Sequence, residues 1–85
     1  MNINNLINCF ESALKNGARF VGIKIKMPNC PCSEVIINEY PNFEAKLAYY
    51  INAYDNDLKL KANSNIAIIG FTYGETYSQI QEDLI

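Results

Sequence analysis

Histidine is absent from all 85 residues, and so is tryptophan. Without an imidazole the chain cannot assemble Ser-His-Asp or Cys-His nucleophilic catalysis, an HExxH zinc site, or histidine acid–base chemistry. Cysteine is scarce and odd in number, occurring only at Cys9, Cys30 and Cys32. That usage fits reduced thiols in a cytoplasmic protein, not a secreted disulfide framework. No apolar run approaches the ~20 residues that a membrane helix requires. The opening MNINNLINCFESALK lacks a basic region followed by an unbroken apolar stretch, so it does not read as a secretory signal. Positive charge is also short. Seven basic against nine acidic residues leave a net charge of −2 and a pI near 4.9. Such a balance supplies no long-range pull toward nucleic acid or anionic lipid, although a local basic patch remains compatible with it.

What the chain does contain is ordinary globular composition, 49% apolar and 19% charged, which is not the composition of a disordered segment. A length of 85 residues suits one small domain, 1–85, that folds alone on a single core with a thin margin of stability. Asn and Ile occur 12 times each, and six of the seven basic residues are Lys. This bias is that of an AT-rich genome and concerns origin, not activity.

Ile3, Leu6, Ile7, Phe10 and Leu14 recur at helical spacing and predict a helix over 3–16, capped by Asn2 and closed at Gly17. Residues 19–27 alternate, with Val21, Ile23, Ile25 and Met27 on one side and Gly22, Lys24 and Lys26 on a wet one. Pro28 and Pro31 make a loop before a second, antiparallel strand over Glu34–Asn38. Pro41 and Asn42 open a helix whose inward stripe is Phe43, Leu47, Tyr50, Ile51 and Tyr54, and Asp55-Asn56-Asp57 ends it. Leu58–Lys61 and Ile66–Thr72 read as a hairpin around a turn at 62–65. The second of these strands is apolar on both parities and is therefore expected to be central and covered. Thr76 and Gln79 have capping-box spacing and open a last helix with Tyr77, Ile80 and Leu84 inward. The expected fold is thus α+β in the order α-β-β-α-β-β-α, an antiparallel or mixed sheet with helices packed on one face.

Three segments invite a chemical reading. Cys30-Pro31-Cys32 could be a thiol-redox site, yet its neighbours Asn29, Ser33 and Glu34 supply no cation to favour a thiolate. Zinc held by three thiols and a carboxylate would need Cys9, which shares no motif with the other two. Gly70-Phe71-Thr72-Tyr73-Gly74-Glu75-Thr76 lies where a phosphate loop would, but it has three residues between its glycines and Glu75 in place of the lysine. Asp55-Asn56-Asp57 lacks the glycine and terminal Glu of a calcium loop. The sequence therefore predicts no enzyme, no metal and no cofactor.

Two kinds of binding surface remain. Six tyrosines occur, and tyrosine is enriched in protein interfaces because it brings large area at low entropic cost. Tyr40, Glu44, Tyr49 and Tyr73 are the expected contact residues for a protein partner, with self-association a further possibility. The alternative is single-stranded nucleic acid held on Lys24, Lys26, Lys59 and Lys61, beside Phe20 or Tyr73, should those lysines share a sheet face.

The opening Met1-Asn2-Ile3-Asn4-Asn5-Leu6-Ile7 is similar to the start of a small acidic anti-CRISPR protein encoded by phage. The overall organisation resembles small proteins of low-GC bacteria and their prophages. The resemblance covers seven residues of an amphipathic helix and carries over no functional residue. It implies a prophage-derived inhibitor of a host defence (CRISPR–Cas) complex. That family mimics DNA with many carboxylates, whereas this chain is only mildly acidic.

Overall fold

Local chemistry fixes the first helix at both ends. In the computed structural model, which describes residues 1–84, α1 spans Ile3–Lys15. The Asn5 amide donates to Asn2 Oδ1 at 3.1 Å, and the Asn2 amide donates to Asn5 Oδ1 at 2.8 Å. This reciprocal pair is a capping box made entirely of asparagine. At the other end Gly17 takes φ +68. Its amide donates to Leu14 O, and the Ala18 amide donates to Ala13 O. The chain thereby turns directly into the sheet. The last residue of the expected 1–85 span, Ile85, lies outside the described residues.

The four strands are β1 (Phe20–Lys26), β2 (Glu34–Glu39), β3 (Lys59–Leu60) and β4 (Asn63–Gly74). They form one sheet in the order β2-β1-β4-β3, with every neighbouring pair antiparallel. Helix α2 covers Phe43–Ala53 and α3 covers Tyr77–Leu84. The α+β class, the element order and the antiparallel sheet are those expected. β4 is central, also as expected, while β3 is reduced to two residues.

The main core lies between one sheet face and the helices α1 and α2. Val21, Ile23 and Ile25 of β1 meet Leu6, Phe10 and Ala13 of α1 and Phe43 and Tyr50 of α2. Phe10 stands edge-on to Phe43 with ring centroids 5.7 Å apart. Each fully buried Leu, Ile or Phe here contributes on the order of 2 kcal/mol of hydrophobic stabilisation. Leu14 and Ile51, expected inward, are 39% and 41% exposed. Ala13 is the fully buried α1 residue at that end instead. Asn42 makes no side-chain cap; a single 3-10 turn at Tyr40–Asn42 leads into α2 instead.

The third helix departs from the expected one-sided packing. A Cβ added at Gly22 would overlap the side chain of Ile80 and crowd Leu84, and the bare α-carbons of Gly70 and Gly74 also face α3. Gly22 lies on the face of β1 opposite Val21 and Ile23, so α3 covers the side read as wet. Glycines there remove the side-chain layer and leave a shallow trough, into which Ile80 and Leu84 pack. The Gln79 amide donates to Thr76 Oγ1 at 3.2 Å and the Thr76 amide donates to Gln79 Oε1 at 3.3 Å, so the expected capping box is present. Tyr77, expected inward, is instead 53% exposed.

β4 also shows why its apolar residues fall on both parities. Ile25 pairs with Ile68 but Lys24 pairs with Gly70, which leaves Ile69 as the extra residue of a bulge. The bulge resets the alternation, so that Ile68 and Phe71 point to the same core. Ile69 itself is an exposed large apolar side chain.

Candidate functional site

The turn at Gly17, the entry to β1 and the turn between β2 and α2 converge at one end of the molecule. The Tyr40 amide donates to Arg19 O at 2.8 Å, which ties the 3-10 turn to the start of β1. Phe43 is buried beneath it, and the Tyr40 ring lies edge-on to Phe43 at 5.8 Å, itself 56% exposed. Between these segments runs a groove of about 470 Å³ lined chiefly by Leu14, Arg19, Phe20, Glu39, Tyr40 and Pro41. A smaller depression of about 140 Å³ shares Leu14, Tyr40 and Pro41 and adds Glu44. Two of the expected contact residues, Tyr40 and Glu44, are thus brought together. Leu14 and Pro41 were not singled out from sequence. Leu14 was hidden by its own periodicity, since a residue in register with the apolar stripe is read as core.

Tyr73 belongs to a second groove of about 350 Å³, lined by Asn16, Tyr73, Glu75, Gln79, Glu82 and Asp83 among others. Asn16 Nδ2 donates to Tyr73 Oη at 3.0 Å, fixing the ring across the end of α1. Ala18 contributes to both grooves, so they meet at that residue. Tyr49 is not part of either. It lies five residues from Glu44 on α2, which puts the two side chains about 140° apart around the helix. Its ring packs edge-on to Tyr50 at 5.3 Å.

The lysines are partly gathered. Lys26 pairs with Ala67, and Ala67 pairs with Lys59, so these three residues form one row across β1, β4 and β3. Paired residues project from the same face, and the two lysines lie about 10 Å apart, two strand spacings. Lys24 lies on that face too, beside Gly70 near the end of α3. Lys61 has left the sheet for the turn before β4, where its amide donates to Ala53 O at 2.9 Å. Neither Phe20 nor Tyr73 adjoins this row; both sit at the other end of β1 and β4.

Cys30 and Cys32 are exposed and free in the β1–β2 loop, while Cys9 is half-buried on α1. Burial pushes the Cys9 thiol up to about 11, which makes it a poor nucleophile at neutral pH. Asp55 Oδ1 accepts the amides of Asp57 and Lys59 at 2.9 and 3.0 Å, which makes Asp55-Asn56-Asp57 a turn that ends α2. Among the described residues, no three Cys, Asp or Glu side chains converge where a metal ion could sit. Among them too, no helix is long and apolar enough to cross a membrane. The chain matches no known protein family, no curated protein and no solved structure.

Proposed function

We propose that this chain is a non-enzymatic protein-binding domain that grips its partner through the groove between Gly17 and the β2–α2 turn. The observation that carries this reading is the exposure of Leu14 and Tyr40 around a concave surface that none of the described elements covers. Clustered exposed apolar and aromatic groups at a concavity are the usual anchor of a protein interface. Glu44 and Glu39 would orient a partner by charge. The narrower reading, capture of a CRISPR–Cas component, is motivated by the seven N-terminal residues alone.

The test is a tagged pull-down from bacterial lysate, with and without nuclease, read by mass spectrometry. A stoichiometric partner that survives the nuclease is expected, and its identity decides the narrower reading. Tyr40→Ala should weaken capture about 30-fold, the loss of about 2 kcal/mol at an interface anchor. Tyr49→Ala should leave capture intact. Undiminished capture by the Tyr40 variant sinks the proposal. The row of Lys26, Ala67 and Lys59 favours nucleic acid as a second reading. Partners that vanish on digestion, with binding that weakens steeply in salt, would move that reading to first place.

A further inference from the structure

β3 covers only part of β4. Its pairs are Lys59 with Ala67 and Leu60 with Asn63, and the Ile68 amide reaches Leu58 O. Beyond that point and the bulge at Ile69, Gly70–Gly74 pair with β1 on one side and, among the described residues, with no strand on the other. Backbone groups along an unpaired sheet edge need partners, and the partner whose geometry fits is another extended strand. Natural edges are blunted by charge or proline. β2 follows that rule, with Glu34 and Glu39 at its two ends. Residues 62–74, by contrast, contain no charged residue and no proline.

The walls of this edge state what kind of strand fits. Asp83 Oδ2 accepts from Thr72 Oγ1 at 3.2 Å, and Gln79 lies against Gly74, so this flank of α3 leans over β4. Tyr77 leans the other way, onto Phe20 and toward Glu39 of β2. Glu75, Glu82 and Asp83 therefore line the second groove along the β4 side, with no cation among its lining residues. On the opposite side of the sheet the wall is Tyr73 and Asn16. Side chains of an added strand alternate between these two walls.

We infer that the free edge of β4 is a docking site for an extended peptide segment of a partner protein. That segment bears Lys or Arg at alternate positions toward α3 and apolar side chains toward Tyr73. A second copy of this chain fits poorly, because pairing two β4 edges would line up both sets of Glu75, Glu82 and Asp83 along the shared groove. The inference rests on the protein-binding reading but adds a surface distinct from the Tyr40 groove.

The probe is an octapeptide alternating lysine and valine, titrated into the ¹⁵N-labelled full chain. Saturable binding is expected, with slowed amide exchange confined to Ile69–Gly74 and the strand's immediate neighbours. Glu82→Lys with Asp83→Lys should weaken it about tenfold or more. The single exposed change Glu82→Gln should weaken it in the same direction, should the double variant fold poorly. Tyr40→Ala should have no effect, which separates this site from the first groove. Absence of binding, equal binding of a glutamate–valine octapeptide, or perturbation confined to the Lys26–Lys59 row would overturn the inference. So would protection of the same amides by dimerisation without peptide.

Discussion

Asn38 is a buried polar side chain of the core, and it is satisfied. Its Nδ2 donates to Val21 O at 3.0 Å, and its Oδ1 accepts from Tyr50 Oη at 3.4 Å. A polar group in that place costs little only while both bonds are made, so it locks β2 and α2 to the register of β1. Gly22 acts at the same scale through an absence. Gly22→Ala should destabilise the fold by about 1–3 kcal/mol, because the new methyl displaces Ile80 and lifts α3. Urea unfolding measures this, and a variant as stable as the parent would show that α3 does not rest in that trough. Sequence reading saw Gly22 as one of three residues on a wet face. A missing side chain carries no hydropathy signal, so its value to a neighbour stays invisible until the neighbour is placed.

Among the elements, β4 and α3 show opposite relations to sequence. The ends of α3 were legible, since Thr76 and Gln79 are local partners three residues apart. Its packing face was legible at Ile80 and Leu84, which are buried as expected, but not at Tyr77, which fits the same stripe yet lies over Phe20 at 4.7 Å because of where the sheet stands. β4 misled in another way. Its apolar residues on both parities record a bulge as well as central burial. Deleting Ile69 should therefore be tolerated, as Ile68 and Gly70 keep their faces. Deleting Thr72 without changing the bulge turns Tyr73 onto the α3 face opposite Gly22 and takes Gly74 off it, and should cost about 2 kcal/mol more than loss of Ile69. Thermal melts of the two deletions compare them directly; equal losses would remove the bulge as the explanation.

For the molecule as a whole, the core holds three acids in their neutral forms. Burial pushes Cys9 up to about 11 from 9.0 and raises Tyr50 and Tyr54 above the tyrosine value of 10.0. The unfolded chain gives up these protons at lower pH than the folded one. Their contribution to stability is then complete below about pH 9 and is lost as pH rises through the folded values. The melting temperature should fall from about pH 9 upward, and Cys9→Ala should flatten the first part of that decline. A parent melting temperature that stays level to about pH 11 would contradict the burial of these groups.

The sequence by itself determined the α+β class, the order of the elements, the caps of α1 and α3, and the antiparallel pairing of β1 with β2. All of these follow from residues within a few positions of one another or from short alternating runs. The tertiary structure alone decided that β1 pairs with β4, that α3 crosses to the far face, that Leu14 and Tyr40 stay uncovered, and that β3 stops short along β4. The reason is physical. Periodicity states which residues prefer burial, but a side chain is buried only if another element arrives to cover it. Arrival depends on twist, glycine troughs and bulges summed over the whole sheet.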